Sequence, residues 1–128
     1  MSLTRIRLKN FTAFKSLDAE LTPGINVFIG ENGTGKTHVL KLAYCACQAS
    51  VDGVSFSDKL VGAFLPYERR LGRLAHRTTT SMTAVAEVSR GDRKLKISFS
   101  NHAKEASSAK LSGKDGWAGD PIKCAYVP

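Results

Sequence analysis

Apolar and polar residues alternate, cluster and then alternate again along this chain, and each change of rhythm marks an element. In "LTRIRLKNF" the apolar Leu3, Ile6 and Leu8 stand among Arg5, Arg7 and Lys9. The alternation, imperfect in phase, predicts a half-buried first strand. "AFKSLDAELTPG" predicts a short second strand over 17–21, closed by a Pro23-Gly24 turn. "INVFIG", residues 25–30, is a continuous apolar run and predicts a strand buried on both faces, as in a parallel sheet. A glycine-rich stretch follows, then a helix over 35–48. Its Val39, Leu42, Ala43, Ala46 and Cys47 recur at helical spacing on one broad face, widened by Leu40 and Tyr44.

Beyond a loop at "ASVDGVSFSD", the stretch "FSDKLVGAFLP" predicts a second helix, with Ser57 or Asp58 as its cap and Pro66 as its terminator. "YERRLGRLAHRTTTS" is basic and less regular. "MTAVAEVSRGDRKLKISFS" predicts a hairpin turning at Gly91-Asp92. Ala84, Ala86, Val88, Leu95, Ile97 and Phe99 share one of its faces, and Lys94, Lys96 and Ser98 take the other. A polar stretch with a ragged strand over 109–111 leads to a last short strand in "IKCAYVP".

Composition bounds the class. A chain of 128 residues, 42% of them apolar, can bury one core. No run of about eighteen apolar residues occurs, so no membrane span is expected. The basic start "MSLTRIRLKNF" has no apolar core or cleavage site of a secretory signal, which points to the cytoplasm. Cys45, Cys47 and Cys124 match no zinc pattern. On a helix the first two would point about 200° apart, and small buried thiols are expected. Nineteen Lys and Arg against eleven Asp and Glu give a net charge of +8, which favours polyanion partners, nucleotide or nucleic acid.

"FIGENGTGKTHVLKL" carries the chemistry. Gly30, Gly35, Lys36 and Thr37 fill the pattern G-x-x-x-x-G-K-[ST] between an expected strand and an expected helix. The loop runs Gly30, Glu31, Asn32, Gly33, Thr34, Gly35, Lys36, Thr37, with His38 behind it. Its glycines let backbone amides approach phosphate oxygens, and the unpaired N–H groups at the helix start aim at an anion. Lys36 is expected to reach the β- and γ-phosphates of a nucleotide, and the Thr37 hydroxyl to ligate Mg²⁺. The His38 backbone would assist, with its side chain at the surface.

The spelling "GENGTGKT", and the two strands expected ahead of it in "TRIRLKNFTAFKSLDAELTPGINVFIGENGTGKTHVLKL", resemble the N-terminus of the RecF/SMC/OLD group of ABC-class P-loop ATPases. The later hairpin and short strand look like the nucleotide-binding lobe of OLD-like ATPases of phage defence and DNA repair. The resemblance implies an α/β fold: the first lobe of an ABC-ATPase head, with a mixed sheet, antiparallel strands and a P-loop helix. On this reading 1–128 is a single partial ATP-binding domain. Asn10, Phe11 and Phe14 match the group's "NF..F" element, so that Phe14 or Lys15 would border the adenine or ribose. Core packing is the alternative for Phe11 and Phe14.

The rest of such a site is not legible. None of the eleven acids follows four apolar residues at the end of a strand except Glu31, which lies inside the loop, so no Walker B acid is found. "KLSGKDGW" resembles the signature turn, but "KDGWAGDP" is not expected to continue a helix. The glutamine loop would come at or after "AYVP", and neither His76 nor His102 has an evident catalytic partner. The expectation is a family ATPase whose chain binds ATP with weak or no turnover alone. A second head, or a copy of the chain, would close the site. The alternatives are a non-catalytic module pairing with a full-length ATPase and, less favoured, a small phosphotransferase. Arg69, Arg70, Arg73 and Arg77 would meet DNA phosphates if their segment were helical, since 69, 73 and 77 would then share a face. A solvated face is the plainer reading.

Overall fold

The alternating segments from the two ends of the sequence meet in one sheet. The computed structural model describes residues 2–30, 35–76 and 80–127. Strands β1 (Arg5–Phe11) and β2 (Phe14–Glu20) form a hairpin, as do β3 (Thr83–Arg90) and β4 (Arg93–Ser100), and β5 (Lys110–Ser112) adds a short edge. The order is β2-β1-β3-β4-β5, with every pairing antiparallel. The register sets Ile6 beside Val88 and Leu8 beside Ala86, and continues with Ala86 beside Ile97. Their row therefore faces one way, and it is buried with Ala84, Leu95 and Phe99.

Two helices cover that face. Helix α1 (Lys36–Gln48) buries Val39, Leu42, Cys45, Ala46 and Cys47, and α2 (Phe56–Phe64) buries Phe56, Leu60 and Val61. At thirteen residues, α1 is marginal as an isolated helix. Each buried Val or Leu contributes roughly 1.5–3 kcal/mol, so the sheet stabilises it. Ala43 is only half-buried and Leu40 is exposed, so the covered face is narrower than its sequence pattern implies. Helix α2 is capped by Ser55, two residues before Ser57 and three before Asp58: the Ser55 hydroxyl accepts from the Asp58 N–H at 3.3 Å. It ends with Leu65 left-handed, just before Pro66.

A clasp closes the far end of α1. Helix α3 (Lys114–Trp117) is a single turn that places Trp117 in the core. The indole Nε1–H donates to the Ala46 carbonyl at 2.8 Å, and Lys114 Nζ donates to the carbonyls of Ala49 and Val54, each at 2.5 Å. A cation on the last carbonyls of a helix complements its dipole. The buried Arg90 guanidinium lies 4.7 Å from the Trp117 ring centre and donates to the carbonyls of Trp117 and Asp120.

Three expectations are corrected here. Residues 25–30 form no strand, and Ile25, Val27 and Ile29 are 91%, 74% and 92% exposed. An apolar run is buried only where surfaces exist on both sides, and none of the five strands pairs with it. Residues 122–127, of the expected last strand, are likewise irregular, with the Tyr126 ring centre 6.1 Å from that of Tyr44. "KDGW", expected not to continue a helix, forms the one turn of α3 because burying Trp117 outweighs the poor propensity of Gly116.

Candidate functional site

The glycine-rich loop joins the exposed run 25–30 to the start of α1. Glu31, Asn32, Gly33 and Thr34 lie outside the described residues. Gly35 caps α1 with φ at 95°, in the left-handed region. A Cβ there would also come within 2.7 Å of the Phe14 ring and 3.2 Å of Ala13. Two constraints thus demand glycine at this position. The first turn of α1 has no side-chain cap and no acid, so among the described residues no carboxylate offsets the positive end of the helix. The Lys36 ammonium donates to the Gly30 carbonyl, spanning the loop. Thr37 is exposed at the mouth of the helix.

His38 is not the surface group expected. It is half-buried with its ring centre 5.6 Å from that of Phe64, and its Nδ1 has no hydrogen-bond partner among the described residues. Burial, and after it the Lys41 charge, hold its imidazole below the ordinary range, so it is neutral at pH 7.

The element "NFTAF" forms the wall beside Gly35. Phe11 is core, in edge-to-face contact with Phe64 and Phe99, which decides between its two readings. Phe14 packs on Gly35, and Lys15 is exposed. Asn10 and Thr12 both have positive φ, 52° and 49°, at a cost of order 1–3 kcal/mol each. The segment after α2 holds them there. Thr12 N–H donates to the Leu74 carbonyl at 2.6 Å, and His76 N–H to that of Asn10 at 2.8 Å. His76 Nδ1–H donates to the Thr12 carbonyl at 2.9 Å. His76, which has no partner legible in sequence, is therefore a positioning residue for this turn. The contact spans 64 positions, and no local pattern announces it.

That segment is not an α-helix. Two 3₁₀ turns, Tyr67–Arg69 and Leu71–Leu74, carry Arg69 and Arg73 with Arg70 between them, so Arg69 and Arg73 do not share an α-helical i, i+4 face. Glu68 and Arg69 have positive φ at 55°, a backbone that cannot continue as a helix. Arg70 pairs with Glu68 at 2.8 Å, Arg73 lies 5.9 Å from the Tyr67 ring centre, and Arg77 is outside the described residues. Between these turns and the β1–β2 turn opens a cleft of about 1260 Å³, lined by Thr12, Ala13, His38, Tyr67, Arg73 and His76 among others. It adjoins the start of α1.

Leu111 and Ser112, the would-be signature residues, belong to β5, where Gly113 abuts the Lys94 carbonyl. Cys45 and Cys47 are buried, and burial pushes both thiols up to about 12. Cys124 is exposed, all three are free, and the described residues contain no metal-binding cluster. No helix among them is long and apolar enough to cross a membrane.

Sheet, covering helices and P-loop helix define an α/β P-loop ATPase lobe of the ABC-head type. A family model described as an AAA ATPase domain matches residues 1–110, and the chain belongs to that family. The DNA replication and repair protein RecF of Klebsiella pneumoniae subsp. pneumoniae is 32% identical over 115 residues, covering 87% of this chain and 31% of that protein. RecF of an Enterobacter species is similar at 32% identity, and RecF of Escherichia coli O1:K1 at 30%, over the same shares. The chain is thus similar to the N-terminal region of RecF-like ABC-class ATPases and spans just under a third of the length of these relatives.

Proposed function

We propose that this chain binds Mg²⁺-ATP as the nucleotide-holding first lobe of an ATPase acting in DNA repair or phage defence. One observation carries the reading: Lys36 donates to the Gly30 carbonyl at the N-terminus of α1, whose first turn has no acid. The donors there are backbone N–H groups, an ammonium and a hydroxyl, and they suit phosphate oxygens and a hard cation. Gly30, Gly35, Lys36 and Thr37 would hold the triphosphate with the four loop residues between them, and Thr37 would ligate the metal. Bound Mg²⁺ supplies charge neutralisation on the phosphates. Phe14 borders the site by walling Gly35, and the cleft beside His38 offers room for base and ribose. Lys15, exposed on β2, serves at most the rim.

Hydrolysis needs an acid to hold the metal and position water, and this reading assigns that role to residues outside 1–128. A second head, or another copy, would then close on the γ-phosphate, and Arg69, Arg70, Arg73 and Arg77 would contact DNA phosphates. Titration of the purified chain with Mg²⁺-ATP is expected to give saturable binding that Lys36→Ala weakens at least about tenfold, the loss of one charge-assisted contact, with little turnover in either protein. Robust hydrolysis abolished by Lys36→Ala would overturn the division of labour. Absence of nucleotide binding would favour the second reading, a module that pairs with a full-length ATPase.

A further inference from the structure

The outer face of the sheet has two unlike halves. Across β2, β1 and β3, acids meet bases. Arg5 donates to both Asp18 carboxylate oxygens at 2.7 and 2.5 Å, and Arg7 lies 3.7 Å from Asp18 and 4.0 Å from Glu87. The β4 and β5 half is different. Neither strand contains an acid. Lys94 and Lys96 project outward between buried Leu95 and Ile97, Lys96 sits beside Ser112, and Ser98 sits beside Lys110. The same row reaches back through Val85 to Lys9 on β1. All four lysines are exposed, and among the described residues none has an ion-pair or hydrogen-bond partner. Glu87 stands opposite Lys96 in the register, but its carboxylate faces Arg7.

Side chains on one face of a strand lie about 7 Å apart, and diagonal neighbours across a pair about 7–8 Å. Lys94, Lys96 and Lys110 therefore form a stripe with Ser98 and Ser112 between them. Ammonium and hydroxyl groups are the donors that phosphate oxygens take. No aromatic side chain stands on this half-face, so it has no platform for bases. Val85 is its one apolar residue, too little for the apolar centre of a protein–protein interface.

We propose that the lysine–serine face of β4 and β5, extended by Lys9, is a sequence-independent docking surface for the phosphate backbone of duplex DNA. This rests on the DNA part of the function proposed above and is independent of its nucleotide part. It also differs from the arginine segment, where Arg70 is occupied by Glu68 and Arg73 by the Tyr67 ring.

The test is fluorescence anisotropy of a short labelled duplex of arbitrary sequence, titrated with the chain at several salt concentrations. Each phosphate contact adds about 0.9 to the slope of log affinity against log salt. The Lys94→Gln/Lys96→Gln/Lys110→Gln variant is expected to lower that slope by about 2–3 and the affinity by at least about tenfold at low salt. All three side chains are exposed, so thermal unfolding should be unchanged, and so should Mg²⁺-ATP binding. Unchanged slope and affinity would overturn the proposal, as would a loss confined to Arg69→Gln/Arg70→Gln/Arg73→Gln. Polyglutamate binding as tightly as the duplex at equal charge would overturn it in favour of an acidic protein. Lysine-dependent DNA binding without ATP binding would refute the nucleotide reading alone; ATP binding with lysine-independent DNA binding would refute this one alone.

Discussion

Gly35 meets two demands that the motif alone does not separate. Its positive φ starts the helix, and its missing side chain leaves room for Phe14. The motif marks the glycine, but only the fold brings the Phe14 ring from the first hairpin to it. Asp18 shows the same non-local logic on the other face. The hydrogen bond from Arg5, and then the charges of Arg5 and Arg7, hold its carboxyl below the ordinary range. A carboxyl lowered in the folded state stabilises the fold above its unfolded pKa, near 3.8, and that contribution fades as pH falls through the lower folded value. Asp18→Asn is therefore expected to lower the denaturation midpoint at pH 7, with the gap to wild type closing below about pH 4. Urea unfolding at a series of pH values reads this directly, and a gap constant with pH would refute it. Both partners are largely exposed, so the effect should be small.

Among the elements, those whose burial is set by one neighbour were legible. The β3–β4 hairpin follows its alternation and its two-residue turn, and α1 follows its apolar face. Elements that depend on several neighbours were not. The run 25–30 is as apolar as a central strand, yet apolarity states a preference for cover and cannot supply it. In the arginine segment a shared face depends on helical spacing, and the left-handed backbone at Glu68 and Arg69 breaks that period. The α2 cap was misplaced because three polar residues, Ser55, Ser57 and Asp58, compete within one turn. Ser55 wins by accepting the Asp58 N–H. Ser55→Ala should cost about 1 kcal/mol in chemical denaturation, while Ser57→Ala should cost only a few tenths. The reverse ranking would return the cap to its sequence-based position.

At the scale of the whole molecule, one buried face is shared by the sheet, α1, α2 and α3, and the candidate site lies at the edge where the β1–β2 turn meets the start of α1. The glycine-rich loop at that edge is legible because a short pattern encodes it. The Thr12–His76 contact and the cleft were not, because they join segments more than sixty residues apart. The clasp at the opposite end ties the segment after β5 to the end of α1. Trp117→Ala should therefore cost about 3–5 kcal/mol by thermal or chemical unfolding, since it removes the largest fully buried side chain. A loss below about 1 kcal/mol would mean the clasp is peripheral to the fold.

Trp117 is the only tryptophan in the sequence. Sealed from solvent and covered by the Arg90 guanidinium, it makes the intrinsic fluorescence of the chain a one-site signal. Emission should be blue-shifted in the native protein and move to the red when the clasp opens. A nucleotide or DNA titration that leaves that spectrum still would locate its structural effects away from the far end of α1, with no label attached to the molecule.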